Sequence, residues 1–274
     1  MCGSSVAFGA GLSLEVEPLP PRQTAAPKAG WGSILLQIAV VLLIVGVLVT
    51  LLAQPVLSGG RGEASRTACS NNLKQLAVAL HIYHERYGAL PAQCVTDENG
   101  RPMHSWRVAL LPFLEESKLY DDYDFEQPWD SSYNRAVCEV PIDLFSCPRA
   151  AVSEGGDFSL TNYFVVTGDG TMFGPDRWTK FSDVTDGLSN TIMIVECNSP
   201  DFRVKWYEPR DIPFDEMEFK LNPPRGIGVS SAHPGVAHVA LADGSVRSVA
   251  GESVGESAFR YLLIRNDGMP VQIP

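Results

Sequence analysis

The sequence predicts an α+β protein: an N-terminal transmembrane helix, an amphipathic helix, then a mixed domain with an antiparallel sheet. Three observations predict it. Residues 34–53 read ILLQIAVVLLIVGVLVTLLA, 20 residues without a charge, which at ~1.5 Å per residue reach ~30 Å, the thickness of a hydrocarbon core. Residues 64–87 carry apolar side chains at helical spacing. Beyond them the apolar runs are short and broken by many of the 24 glycines and 20 prolines, a pattern of strands and turns.

The elements follow in order. The segment before residue 34 is too long to be the basic leader of a signal peptide, and its first basic residue is Arg22. Pro18–Lys28 is rich in proline and alanine, so 1–33 reads as a disordered cytoplasmic tail, 34–57 as the anchor and 58–274 as an exported globular domain. Arg22 and Lys28 on one side and Arg61 and Arg66 on the other leave the positive-inside count tied. Pro55, Gly59 and Gly60 interrupt the first helix. In the second, Leu73, Leu76, Leu80, Tyr83 and Tyr87 form the apolar stripe, with Gly88 as C-cap and Pro91 just beyond.

A hairpin is expected at Gln93–Val95 and Arg101–Met103 around Asn99-Gly100, and a short helix capped by Ser105 carries Trp106, Leu110, Leu111 and Leu114. Asn162–Val166 and Thr191–Glu196 read as buried strands, and the charged, proline-flanked Val204–Lys220 as a surface excursion. The last element is the hairpin 236–249 around Asp243-Gly244. A two-residue turn there pairs Leu241 with Val246, puts Ala237, Val239, Leu241 and Val246 on the buried face and leaves His238 and Arg247 on the other.

The net charge is −11, all of it in 58–274, where 19 basic residues face 30 acidic ones. Nucleic-acid binding needs clustered Lys and Arg, so that class of partner is excluded from the expectation. Of six cysteines, Cys2 lies in the tail and Cys69, Cys94, Cys138, Cys147 and Cys197 lie in the domain. Five cysteines suit disulfides in an oxidising compartment, which places the domain outside; buried free thiols are the alternative for any one of them. The absence of a C-x-x-C pair argues against a zinc ribbon.

Other constellations have plain readings beside the chemical ones. His81 and His84 share a helix face but have no third ligand nearby, which favours a structural role over a metal pair. Asp121, Asp122, Asp124, Glu126 and Asp130 supply oxygen ligands for a candidate calcium loop, without EF-hand spacing; solvated surface is the simpler reading. Asp183, Asp186 and Ser189 read as a turn before a strand, because no G-x-S-x-G, H-E-x-x-H or P-loop accompanies them. His233 and Asp243 suggest acid–base chemistry, yet hairpin geometry explains them: Asp243 serves the turn and His233 precedes Pro234-Gly235.

Several stretches in order carry a resemblance: CSNNLKQLAVALHIYHERYGALP (69–91), SWRVALLPFLEESKLYDDYDFEQPWDS (105–131), FSCP (145–148), TNYFVVTGDGTMF (161–173) and FSDVTDGLSNTIMIVE (181–196), then His233, nine residues, and Asp243-Gly244. Together they resemble a planctomycete family of unknown function defined by a pilin-like N-terminal segment and a C-terminal H-x9-DG motif. The resemblance implies a pseudopilin-like anchor with the globular part outside, and Cys69–Cys147 as the disulfide pair. Gly30-Trp31 fits a prepilin site, but Leu35 stands where such a segment carries glutamate.

The resulting expectation is a single-pass cell-envelope protein of the cytoplasmic membrane, its C-terminal domain periplasmic or extracellular. It would act as a pseudopilin-like structural or assembly component with envelope-protein or self-association partners, no cofactor and no enzymatic activity. The alternative is an exported module binding a glycan, an ion or a protein, suggested by acidic loops with Trp129, Trp178 and Trp206.

Overall fold

The computed structural model describes residues 31–57, 60–153, 159–175, 178–251 and 254–269, with 271 and 273. It divides into two compact units, Met1–Pro55 and Val56–Pro274. The expected tail lies almost wholly outside the described residues, as does Cys2.

Helix α1 (Trp31–Leu57) covers the apolar segment, and Pro55 falls within it rather than ending it. The expectation of a transmembrane helix is corrected: among the described residues no helix is long and apolar enough to cross a membrane. Thr50 turns its hydroxyl back onto the carbonyls of Gly46 and Val47.

Helix α2 (Gly60–Tyr87) starts four residues before the expected Ala64 and ends where expected. Gly88 has φ +81° and donates its N–H to the His84 carbonyl at 2.8 Å, a glycine C-cap. Then follow β1 (Cys94–Thr96), β2 (Pro102–Ser105), α3 (Trp106–Leu110), α4 (Ser117–Asp122), α5 (Ser132–Cys138), α6 (Pro148–Ser153), β3 (Tyr163–Phe164), β4 (Val166–Thr167) and β5 (Ile192–Glu196). The chain ends with β6 (Ile212–Pro213), β7 (Met217–Glu218), β8 (Ile227–Gly228), β9 (Val236–Leu241), β10 (Val246–Ala250) and α7 (Glu256–Leu263). Ser105 caps α3, its hydroxyl accepting the Arg107 N–H at 3.3 Å.

The principal sheet is antiparallel, in the order β10-β9-β5-β3. Its two faces close two cores. Cys69, Leu73, Leu76, Ala77 and Leu80 of α2 cluster with Tyr163, Ile194 and Ala240. On the opposite face Phe164, Val195, Ala237, Val239, Leu241 and Val249 cluster with Phe259, Leu262 and Leu263 of α7. A sheet covered on both sides explains why β5 is buried at every position.

Three details depart from expectation. The last hairpin pairs Val246 with Ala240, one residue off the expected register. Leu241 accepts from Gly244 and donates to Ser245, so Ala242-Asp243-Gly244 is a three-residue loop, with Gly244 at φ +78° supplying the left-handed position. Val246 therefore shares the face of Ala240 and His238, and His238 is buried because β9 is an inner strand. Lastly, 204–220 is no surface excursion: Val204, Trp206, Tyr207, Asp211, Ile212, Met217 and Phe219 are all buried.

Asp211 explains how that charged segment goes inside. Arg107 donates from Nη2 to Asp211 Oδ1 at 2.6 Å, and both side chains are 0% exposed. Trp106 Nε1 and Gln93 Nε2 each donate to Oδ2 at 3.0 Å, and the Val165 N–H donates to Oδ1 at 3.0 Å. Arg107 spends two further donors on the Tyr163 carbonyl and lies over the Trp106 and Phe164 rings. Burial pushes the Asp211 carboxyl up while the guanidinium opposes it. A buried ion pair persists only when its remaining valences are satisfied, as here.

His104 gives a pH prediction. Its Nε2 faces the Phe125 carbonyl at 2.9 Å, so Nε2 carries the proton and Nδ1 accepts from the Tyr123 hydroxyl at 3.1 Å. Burial lowers its pKa below the ordinary 6.5, against the backbone hydrogen bond to Phe125, which raises it. The unfolded chain then binds a proton more readily than the folded one. This contribution to stability is complete above pH 6.5 and is lost as pH falls towards the lowered value. The melting temperature should drop between pH 7.5 and 5, and His104→Gln should flatten that drop; an unchanged slope in the variant would rule His104 out as its source.

Candidate functional site

The sheet face beneath α2 gathers a buried cluster from four distant segments. Cys69, one turn before Leu73 on the inner stripe of α2, forms a disulfide with Cys147 in the segment leading into α6. Cys147 is fixed by its N–H, which donates to Asn162 Oδ1 at 2.8 Å. His233 Nε2 faces both sulfurs, 3.3 Å from Cys69 and 3.6 Å from Cys147. Glu196 closes β5 and points to the same side as its cross-strand neighbour Tyr163, whose hydroxyl donates to the Cys69 carbonyl at 3.3 Å. The ligand atoms of Cys69, Cys147, Glu196 and His233 all lie within 4.8 Å of one another, the one such group among the described residues.

Glu196 is 0% exposed, and both oxygens of its carboxylate accept hydrogen bonds. Oε1 accepts the Ser231 hydroxyl at 2.6 Å; Oε2 accepts the His238 N–H at 3.0 Å and its Nδ1–H at 3.2 Å. Ser231 Oγ in turn accepts the backbone N–H of His233 at 3.1 Å, so one hydroxyl ties the acid to the main chain that carries the imidazole. Burial lowers the His233 pKa, opposed by Glu196, which raises it. Burial also lifts Tyr163 well above its ordinary value, with Glu196 adding to the effect. Both cysteines of the cluster are buried, an arrangement that suits a cross-link or a closed coordination site.

The other half of the motif sits at the far end of β9. Asp243 is exposed; its Oδ1 accepts the Ser245 N–H at 2.8 Å, and its own N–H donates to Leu188. His233 and Asp243 therefore form no acid–base pair. Gly244 rests on α2, its carbonyl accepting Lys74 Nζ at 2.6 Å. The motif spacing acts as a ruler. From Cys69 to His81 the helix advances ~18 Å, and the six residues of β9 advance ~17 Å, so His233 meets Cys69 while Gly244 meets His81. A Cβ at Gly244 would stand 3.4 Å from His81 Nε2, on a left-handed backbone. Gly244→Ala should therefore cost roughly 1–2 kcal/mol, readable by urea denaturation; a neutral variant would show that the turn does not dock on α2.

The remaining candidates are dispersed. His81 stacks on Phe181 at 4.3 Å, and His84 accepts the Phe181 N–H at Nε2, so the two serve packing rather than a shared metal. Asp121 and Asp122 are exposed on α4. Asp124 accepts from the Glu126 N–H and Gln127 Nε2, and Asp130 pairs with Arg101. These acids and Glu126 form no ligand group among the described residues. Asp183 accepts the Lys180 N–H, and Asp186 accepts the N–H groups of Asp267 and Gly268, tying down the C-terminal segment. Trp206 is buried and Trp129 packs on Tyr207, leaving Trp178 exposed.

Sequence reasoning missed Glu196 and His238. The available signal was a carboxylate closing the apolar run Ile192–Val195, where a charge must find a buried partner.

No curated protein and no solved structure matches the chain. A family model described as protein of unknown function (DUF1559), SBP_bac_10, matches residues 60–218. The match takes in α2, Cys69, Cys147 and Glu196 and stops before the His233–Gly244 motif, without reaching the apolar segment of α1. By that match over more than half its length, the chain belongs to the DUF1559 family of proteins of unknown function.

Proposed function

We propose that this chain is a structural or assembly component of the cell envelope, pseudopilin-like in organisation, whose globular unit Val56–Pro274 works outside the cytoplasm. The observation that carries the reading is α1. Its described residues, including Ile34, Leu35, Leu36, Leu42 and Leu43, are all exposed, on every side of the helix. A helix apolar all round is not stable facing water and needs an apolar environment. The Cys69–Cys147 disulfide supports an oxidising compartment for the globular unit.

The test is fractionation followed by site-directed cross-linking through α1. With Leu36→Cys, the chain should sediment with the envelope and form covalent homo-oligomers or adducts with envelope proteins on mild oxidation. A chain recovered monomeric and without adducts would sink the assembly role.

A second reading, an exported binding module, is favoured by a cleft of about 690 Å³ in the globular unit, lined by Gln93, Thr167, Asp169, Phe173, Phe214 and Asp215 among others. Aromatic faces beside carboxylates suit a polar ligand such as a glycan. A thermal-shift screen of oligosaccharides should find a stabiliser whose effect is lost in Asp169→Ala; no stabiliser in such a screen would count against it.

A further inference from the structure

We infer that Cys69, Cys147, Glu196 and His233 are a zinc site in the reduced protein, so that one buried cluster holds the fold by a disulfide in one redox state and by a metal in the other. The inference stands on geometry and does not depend on the assembly role. A tetrahedral zinc with Zn–S of ~2.3 Å and Zn–N or Zn–O of ~2.0–2.2 Å separates its ligand atoms by about 3.4–3.8 Å. The imidazole nitrogen already sits at 3.3 and 3.6 Å from the two sulfurs, and all four ligand atoms lie within 4.8 Å. Breaking the sulfur–sulfur bond frees the sulfurs to separate to the tetrahedral edge.

The ligand set is the mixed sulfur, nitrogen and oxygen set that zinc accepts, and its enclosure matches a closed structural site. A disulfide alone has no need of a carboxylate and an imidazole around it, and burying that carboxylate carries a desolvation cost. The supporting groups are those expected of a metal site. Ser231 and His238 orient Glu196, and the Asn162 carboxamide holds the Cys147 backbone. Each ligand comes from a different segment: α2, the segment before α6, β5 and the loop before β9. Zinc would therefore span the same gap that the disulfide spans.

The interconversion balances with a dithiol as reductant. Two electrons and two protons pass from the dithiol to the Cys69–Cys147 bond; that bond breaks, two thiols form, and the dithiol closes to its own disulfide. Zinc then displaces the two thiol protons to solvent and binds both thiolates with neutral His233 and ionised Glu196.

The test uses the full chain, oxidised and after anaerobic reduction with dithiothreitol, titrated with Zn²⁺ alone and with Co²⁺ as the spectroscopic probe. The reduced chain should take up one zinc, and cobalt should give the visible absorption of a tetrahedral thiolate complex; the oxidised chain should do neither. The double variant Cys69→Ser/Cys147→Ser, which keeps the other four cysteines, should bind no stoichiometric zinc. Glu196→Gln and His233→Gln, each reduced, should weaken zinc by at least the ~10-fold that even a supporting partner is worth. Should the reduced chain lose its fold, recovery of its circular-dichroism signal on adding zinc supports the inference, and failure to recover overturns it. A folded reduced chain that ignores zinc, binding retained in the double cysteine variant, or unchanged affinity in both ligand variants would each overturn it.

Discussion

Replacing Asp211 with alanine is expected to destabilise the globular unit by about 3–5 kcal/mol. The size follows from what would remain. Arg107 is wholly buried, and its guanidinium would lose the carboxylate at 2.6 Å while keeping only the Tyr163 carbonyl and a 3.3 Å contact with Ser105. Trp106 Nε1 would lose its acceptor, and Gln93 would lose one of its two. Urea denaturation measures the loss directly. The double variant Arg107→Met/Asp211→Leu should recover much of it, because removing both charges removes the desolvation cost with them. If Asp211→Ala stayed within about 1 kcal/mol of the parent, the pair would not be the buried keystone described.

Loss of the Cys69–Cys147 bridge should have an effect of the same size. It closes a loop over a sequence separation of 78, and a cross-link of that span restricts the unfolded chain by about 4–5 kcal/mol in the chain-entropy treatment. Cys147→Ser, measured without added metal, should lower the denaturation midpoint and steepen the slope, because the uncross-linked denatured chain exposes more surface. Adding reductant to the parent should reproduce the shift, and reductant should do nothing further to the variant. A variant as stable as the parent would mean that the denatured chain is already constrained between these positions.

Some of this architecture could be read from residue order. The α2 stripe and its Gly88 stop follow from helical spacing, and β5 and β9 follow from short apolar runs ended by turn residues. The register of the last hairpin could not be read the same way. Asp243-Gly244 suits a two-residue turn and a three-residue loop alike, and docking of Gly244 on Lys74 and His81 decides between them. Burial of residues 204–220 is not legible from a count of charges, which does not reveal that Asp211 meets Arg107, 104 positions away.

The site was half legible. Cys69 and Cys147 came from the family resemblance, and His233 from its motif. Glu196 and His238 stayed hidden, because their roles arise from the pairing of β5 with β9, a contact between residues 42 apart. The apolar segment shows the opposite failure: composition alone suggested a span that the described helix is not long and apolar enough to make.

The order of the sheet has a consequence for how the molecule comes into being. β9 lies between β10 and β5, so until residues 236–241 emerge, β5 has an unsatisfied edge and Glu196 lacks the His238 groups that hold it. Chains made from one end to the other must therefore wait, with their slowest, longest-range contacts, for the last seventh of the sequence. A chain stalled or clipped before His233 would present the bare edge of β5 and a Glu196 carboxylate without its His238 partners, whereas pairing with β9 conceals both. The hairpin 236–250 thus covers the edge of β5 and binds the Glu196 carboxylate in one step.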